Sequence, residues 1–249
     1  MPSRLKLIVS YDGAPFAGWQ SQASGNTIQD RLEEAFHRIC SQPVRVHGAG
    51  RTDAGVHALA QCAHVDLPER RYQPDRWVAA LNGILPPAIR IVRCQFVSEK
   101  FHARFSAKGK TYRYRIWNAR VLPPLESGRA WHVMNRLDFE RMKIAAKEFS
   151  GEHDFAGFAA NRGTPESDTV RNICAVRLRR AGSCCVIEFE GDGFLYKMVR
   201  MMVGTLVRVG RGLSSPAEIR ARLSSPRKPD FHRRVSAPAD GLFLVRVRY

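Results

Sequence analysis

The chain has 249 residues, of which 40 are lysine or arginine and 23 are aspartate or glutamate, giving a formal net charge of +17 at pH 7. A surplus of that size indicates an anionic partner, because the positive charges repel one another in the folded protein and a bound anion offsets that repulsion. Nucleic acid is the first candidate for this partner, and an anionic membrane surface is the second. Because the cationic residues are spread over the whole chain, we expect the contact to be made by a folded surface rather than by one basic tail.

The remaining composition favours a soluble protein. The six cysteines have no C-x-x-C spacing, and no Cys/His cluster has the spacing of a structural zinc site. We therefore expect buried, reduced cysteines and no metal. The N-terminus lacks the long apolar run of a signal peptide, and no apolar segment is long enough to span a membrane. These features predict a cytoplasmic location.

Residues 1–105 alternate strand and helix patterns. Alternating apolar residues indicate strands, and apolar residues at three- and four-residue spacing indicate helices. The order β-α-β-β-α-β predicts a ferredoxin-like (RRM-like) unit of the α+β class. In chain order the predicted elements are a strand at 4–11, a helix at 28–40, strands at 44–46 and 60–65, a helix opening at Pro74 and closing near Pro86, and a strand at 89–97.

The strand and helix patterns of residues 106–249 predict a second α+β unit of the same kind, with a mixed or antiparallel sheet. The basic, aperiodic segment 101–110 marks the boundary, so we predict one domain at 1–105 and another at 106–249. No sequence repeat links the two halves, and their strands could join in one sheet. The predicted elements are a strand at 111–117, a helix at 138–149, a hairpin of strands 173–179 and 184–190, a helix from Met198, a short helix at 216–223 and a strand at 242–249.

The segment Gly48–Ala58 holds three glycines and four polar side chains that could do chemistry. Glycine is used where the backbone turns through positive φ or approaches another group closely. The pattern predicts a tight loop that presents Arg51 and Asp53. A plain turn with a surface ion pair fits the same composition. A phosphate-cradling loop is excluded, because no Gly-Lys-Ser/Thr follows.

Within this loop, the run Gly-Arg-Thr-Asp-Ala-Gly-Val-His-Ala at 50–58 resembles the active-site signature of the TruA family of tRNA pseudouridine synthases. The resemblance implies that Asp53 is the catalytic nucleophile and that Arg51 helps to displace the target base. It also implies the pseudouridine synthase fold, isomerisation of uridine in the tRNA anticodon stem-loop, no cofactor, and a homodimer in which one tRNA contacts both subunits.

A second match is the run Phe194–Arg200, which resembles the family motif Phe-Leu-x-x-Met-Val-Arg. The resemblance implies that Arg200 pairs with Asp53, and the alternative for this residue is a solvated helix arginine. It implies further that Leu195 packs against the base and that Tyr112 stacks on the uracil or takes its C5 proton. Tyr112 lies on a strand of alternating aromatic and cationic residues, a pattern that suits base stacking and phosphate contact.

Two further segments are implied to bind the substrate. The segment at 101–105 resembles a family segment, and the loop at 161–171 follows the family pattern only loosely. The implied residues are Phe101, His102, Ala103, Arg104 and Phe105 in the first segment, and Ser167, Asp168, Thr169, Val170 and Arg171 in the second.

Two other functions fit part of the pattern. A non-catalytic RNA-binding protein of RRM-like fold would use the strand at 111–117 as a stacking platform, but it would gain nothing from a carboxylate that faces phosphates. A hydrolase built on Asp53 and His57 would need a nucleophile motif such as G-x-S-x-G, which is missing. We therefore expect His57 to fix the loop.

Overall fold

A computed structural model describes residues 3–23, 25–69, 72–160, 168–225 and 235–249. No helix in these residues is long and apolar enough to cross a bilayer. The strands are β1 (Ser3–Tyr11), β2 (Val46–Gly48), β3 (His57–Leu67), β4 (Ile89–Val97), β5 (Gly109–Trp117), β6 (Trp131–His132), β7 (Gly151–Asp154), β8 (Val170–Ala181), β9 (Cys184–Gly191) and β10 (Leu242–Arg248). The α-helices are α1 (Ile28–Cys40), α2 (Pro74–Ile84), α3 (Phe139–Ala146), α4 (Met198–Gly210) and α5 (Pro216–Ser224).

The chain forms two compact units. The first comprises Met1–Lys108 and Phe243–Tyr249, and the second comprises Gly109–Leu242. In the first unit, β1 lies between β3 and β4 and pairs with both in antiparallel orientation. The other edge of β3 pairs with β2 near the end of β3 and with β10 near its start. The predicted β-α-β-β-α-β order is confirmed.

One sheet face of the first unit forms its core. Leu5, Leu7 and Val9 alternate along β1 and are fully buried, as expected for residues that share one face of a strand. Helix α1 starts at Thr27, whose side chain accepts a hydrogen bond from Asp30 N in a capping box. Phe36 of this helix packs on Trp77 of α2, with ring centroids 5.5 Å apart. This packing stabilises the first unit, which carries the loop between β2 and β3.

Two strands of the first unit differ by two or more residues from the sequence prediction. The strand predicted at 44–46 occupies Val46–Gly48, and the strand predicted at 60–65 begins three residues earlier, at His57. The early start has a long-range cause, because His57 and Ala58 lie in parallel register with Phe243 and Leu244 of β10. The loop that carries Asp53 is therefore shorter than the sequence predicts.

In the second unit, β9 lies between β5 and β8 and pairs antiparallel with both, while β7 pairs with the other edge of β8. The short strand β6 runs parallel to β5. Helices α3 and α4 pack closely, since a Cβ at Gly210 of α4 would lie 2.7 Å from Met142 Sδ of α3. Apart from the short strands β6 and β7, the elements β5, α3, β8, β9 and α4 follow the β-α-β-β-α order of the first unit. The predicted α+β pseudouridine synthase fold is confirmed.

The cysteines follow their prediction only in part. Cys62, Cys94 and Cys185 are buried, and burial raises the pKa of each thiol, that of Cys94 to about 12. Cys174, however, is exposed on β8. Its exposure follows from its place on a strand whose residues mostly lie at the surface.

Candidate active site

The loop between β2 and β3 is anchored to β3 at its start. Ala49 N donates to the carbonyl oxygen of Cys62 at 2.7 Å. The Gln61 amide Nε2 donates to Gly50 O at 2.9 Å, and the Gln61 side chain is fully buried. At Gly50 the chain no longer pairs with β3 as a strand, and the buried Gln61 amide supplies the hydrogen bond that the Gly50 carbonyl oxygen needs.

Thr52, the residue before Asp53, is fixed at two atoms. Its buried hydroxyl lies 2.8 Å from the Tyr11 hydroxyl, and its carbonyl oxygen accepts a hydrogen bond from Trp19 N at 3.0 Å. Gly18 makes this approach possible, because its φ is +99° and a Cβ there would lie 2.7 Å from Thr52 O. The backbone that leads into Asp53 is thus held by two segments distant in sequence.

The loop then turns back toward β3. Val56 N donates to Asp53 O at 3.2 Å, and Gly55 supplies the left-handed backbone of the turn, with φ of +78°. Asp53 is half-buried. The Arg51 side chain is exposed, and its Nε donates to Gln20 Oε1 at 3.2 Å. Arg51 and Asp53 are therefore presented by one braced loop.

His57 lies at the end of this loop and is buried. Its Nδ1 accepts a hydrogen bond from Gly13 N at 3.1 Å and lies 3.1 Å from an Asp12 carboxylate oxygen. Its ring stacks on Phe243 with centroids 4.6 Å apart. These contacts agree with the structural role that the sequence predicts for His57. They offer no support for a hydrolase built on Asp53 and His57.

The loop motif predicts that Asp53 is the reacting group, and small misplacements of such a group cost up to about 100-fold in rate. We therefore expect replacement of Tyr11 by phenylalanine to lower kcat by roughly 10- to 100-fold with little change in tRNA affinity. The change leaves the buried Thr52 hydroxyl without this partner. The measurement is single-turnover rate and tRNA Kd for Tyr11→Phe, Thr52→Val and the double variant. If the two hydroxyls act through one bond, the rate losses are not additive. Additive losses, or equal losses in rate and affinity, would contradict a positioning role.

The segment Phe101–Phe105 packs beside the start of the loop. Ala103 is fully buried in a small cluster with Ala49 and Cys62. Its N–H donates to His64 Nδ1 at 3.1 Å, and its carbonyl oxygen accepts from the Tyr249 hydroxyl at 2.7 Å. Two segments that the sequence analysis selected separately therefore share one apolar cluster in the first unit.

His64 makes this packing sensitive to pH. Burial lowers its pKa to about 4, helped by Arg4 of β1, His102 and His47 and opposed by Asp66. A histidine that prefers to be neutral in the folded state stabilises the fold above its unfolded pKa of 6.5 and loses that contribution as the pH falls toward 4.

We therefore expect the Tm of the wild-type protein to fall between pH 6.5 and pH 4 more steeply than that of His64→Asn. The asparagine keeps an acceptor for Ala103 N but does not titrate. Thermal melts followed by circular dichroism over this range test the expectation, and parallel Tm curves for the two proteins would refute it.

The second unit brings two other predicted residues together. Tyr112 of β5 is buried and meets Phe194 edge to face, with ring centroids 5.0 Å apart. Leu195, next to Phe194, is also buried, and its N–H donates to Met198 Sδ at 3.5 Å. Tyr112 and the turn before α4 thus form one packed group.

Arg200 lies in the first turn of α4. Its Nε donates to Ala237 O at 2.7 Å, and its carbonyl oxygen accepts from Ala237 N at 3.0 Å. The helix is entered through Lys197, whose φ of +58° is uncommon for a residue with a side chain. Such conformations are kept where the surrounding structure enforces them, and they concentrate at functional sites. The pairing of Arg200 with Asp53 stays a prediction.

Of the second predicted binding segment, Ser167 lies outside the described residues. Asp168 and Val170 are exposed, and Asp168 Oδ1 accepts a hydrogen bond from Val170 N at 3.1 Å. The Thr169 hydroxyl donates to Asp154 Oδ1 at 2.6 Å. The Arg171 side chain lies beside Gly193, where a Cβ would be 3.2 Å from its Cδ. Arg171 therefore flanks the turn that carries Leu195.

Sequence reasoning missed the residues that hold the loop: Tyr11, Thr52 and Gln61. The sequence pattern places Tyr11 only at the end of a predicted strand. A glutamine at a fully buried strand position is a signal that could have been used, because such an amide must find partners. Phe194, which packs on Tyr112, was also not singled out.

The comparisons with known proteins agree with this architecture. A family model described as tRNA pseudouridine synthase matches residues 7–106 and 145–249. A tRNA pseudouridine synthase A of Akkermansia muciniphila is 46% identical over 253 residues, covering 99% of this chain and 95% of the relative. Those of Methylacidiphilum infernorum and Solidesulfovibrio magneticus are 42% and 46% identical, over 98% and 99% of this chain and 94% and 91% of their own lengths.

The two α+β units, one of which presents Asp53 on a braced glycine-rich loop, agree with the class of protein that these comparisons give, the pseudouridine synthases. With matches along nearly its whole length, the chain belongs to the tRNA pseudouridine synthase family, whose members are isomerases that act on tRNA uridines. The family predicted from the loop motif is thus confirmed. Within the described parts of the chain, no group of three or more His, Cys, Asp or Glu side chains is placed to hold a metal ion.

Proposed function

We propose that this protein isomerises uridine to pseudouridine in the anticodon stem-loop of tRNA, with Asp53 as the nucleophile. The observation that supports the proposal best is the double anchoring of Thr52 by Tyr11 and Trp19, which fixes the backbone that carries Asp53. A loop that only reversed the chain would not require two buried clamps. Preorganisation of a reacting group to a fraction of an ångström is, by contrast, what catalysis requires.

The reaction breaks the N1–C1′ bond of uridine and forms a C5–C1′ bond. The base turns between these steps, and the proton lost from C5 is balanced by the one gained at N1, so no oxidant or reductant is consumed. Ionised Asp53 attacks C1′ of the ribose or C6 of the uracil, or assists by deprotonating the sugar. A cationic neighbour would keep the carboxylate ionised, and we assign that part to Arg200.

The other site residues act on the base. Arg51, which is long and exposed, occupies the space that the flipped uridine leaves in the stem. Tyr112 stacks on the uracil or takes its C5 proton, and Leu195 forms an apolar wall. The packed group of Tyr112, Phe194 and Leu195 supports this division, because a flat aromatic and an aliphatic side chain suit the two faces of a base.

The tRNA is held by the cationic surface, to which the segments 101–105, apart from the buried Ala103, and 168–171 contribute. We propose that the enzyme works as a homodimer in the cytoplasm and that one tRNA contacts both subunits. In this scheme, residues 1–105 act as the domain that carries the catalytic loop, and residues 106–249 act as the domain that completes the site.

The proposal is tested by incubating purified protein with unmodified tRNA in EDTA and mapping pseudouridine chemically. We expect conversion confined to the anticodon stem-loop. Binding without conversion would instead favour the non-catalytic RNA-binding alternative, and conversion that is confined to another region would overturn the assigned target.

A further inference from the structure

The Phe105 platform is a group of stacked rings in the first unit, formed by His47, His64, His102 and Phe105, with Arg104 beside it. The ring of His64 stacks on His47, with centroids 5.0 Å apart, and meets His102 edge-on at 4.7 Å. His102 in turn packs on Phe105, with centroids 4.4 Å apart. The stack runs from a buried ring, His64, to a ring with 77% of its surface exposed, Phe105.

The platform is built rigidly. His102 Nδ1 accepts hydrogen bonds from Arg104 N at 3.1 Å and Phe105 N at 3.3 Å. The backbone N–H of His102 donates to Ser106 Oγ at 3.0 Å, and the backbone N–H of Ser106 donates to His102 O at 2.9 Å. A closed turn of this kind holds the exposed ring in place before any partner arrives, which lowers the ordering cost of binding.

The platform carries one cation, Arg104. The Arg104 guanidinium lies 5.7 Å from the centre of the Phe105 ring. Of the nearby acids, Asp66 is paired with Arg4 at 2.7 Å, and Glu99 is exposed in the segment that precedes the turn. An exposed aromatic face next to a guanidinium is the combination that stacks a nucleobase and contacts its phosphate.

We infer that the Phe105 platform binds an unpaired nucleotide of the tRNA, with the base on the Phe105 ring and a neighbouring phosphate on Arg104. This inference rests on the proposed function and specifies how one segment of the substrate is held. Only an unstacked loop or bulge nucleotide can offer its face, because bases within an A-form stem are stacked on both sides. A second copy of this chain fits less well, since one exposed ring is far smaller than a stable interface.

The test measures tRNA binding to full-length Phe105→Ala, Phe105→Trp, Arg104→Gln and the control Leu125→Ala over a range of salt concentrations. Leu125 is a matched control, because it is also an exposed apolar residue, at 86%. We expect Phe105→Ala to weaken binding about 5- to 100-fold without changing the salt slope. Phe105→Trp should stay near wild type, and Arg104→Gln should make the slope of log K against log salt shallower by about 0.7, the value for one phosphate of a single strand.

A photo-crosslinker placed at position 105 should label a loop nucleotide rather than a stem nucleotide. The inference is overturned if Phe105→Ala binds like Leu125→Ala, if the crosslink falls in a stem, or if Phe105→Ala changes the oligomeric state in the absence of RNA. The two proposals can fail separately. Pseudouridine formed by the wild type with no affinity loss in Phe105→Ala overturns only the platform, whereas affinity loss without any pseudouridine formation overturns only the proposed reaction.

Discussion

Replacement of Asp53 by asparagine is expected to abolish pseudouridine formation while leaving tRNA affinity within a few-fold of the wild type. Removal of a nucleophile from an otherwise intact site costs on the order of 10⁴-fold or more in rate. The affinity should persist because one carboxylate contributes nothing favourable to phosphate binding by a chain of net charge +17. The loop should keep its shape, since it is held at Thr52 and Val56 by atoms that the substitution leaves unchanged.

Asp192→Asn is a matched control for this experiment. Asp192 also lies in a glycine-rich turn, it is exposed, and its Oδ1 accepts a hydrogen bond from Asn172 N at 3.1 Å that an asparagine oxygen can keep. Single-turnover rates and filter-binding affinities of both variants show whether turnover depends on Asp53 while tRNA binding does not. Turnover by Asp53→Asn at a rate near that of Asp192→Asn would remove Asp53 from the mechanism.

Local periodicity predicted the elements that depend on local sequence. The helix at Ile28–Cys40 and the strand at Ile89–Val97 occupy the predicted residues. A cap at Thr27 and a clear apolar face specify the helix, and alternation that ends at a turn specifies the strand. The Asp53 loop could be selected because glycines and polar residues are combined there in an uncommon run.

Distant contacts set what local patterns could not predict. The start of β3 at His57 depends on pairing with β10, far along the chain. The clamp on Thr52 depends on Tyr11 and Trp19, whose own surroundings look like an ordinary strand and loop. The left-handed backbone of Lys197 is imposed on a residue that does not favour it. In each case the site is positioned by tertiary structure rather than by the residues that carry its motif.

Replacement of Arg51 by alanine and of Tyr112 by phenylalanine should both lower the rate by orders of magnitude, but only the first loss should be rescued by a distorted substrate. A target uridine in a stem is stacked and paired, and its extrusion costs a few kcal/mol unless a side chain fills the gap. Arg51 suits that part, because it is exposed on the Asp53 loop and its guanidinium is steadied by Gln20. Tyr112 is buried against Phe194 in the second unit, so it suits a later step on the flipped base.

The measurement is the single-turnover rate on paired and mismatched anticodon stem-loops for the two variants, with Arg51→Lys as the conservative control. A mismatch removes much of the extrusion cost, so it should restore much of the rate to Arg51→Ala. It should restore little to Tyr112→Phe, because the role proposed for Tyr112 falls after the base has flipped. Arg51→Lys should fall between wild type and Arg51→Ala on the paired substrate, since lysine keeps length and charge but lacks the planar fork that Gln20 contacts. Equal rescue of both variants, or of neither, would show that base extrusion and base chemistry are not divided between these two side chains.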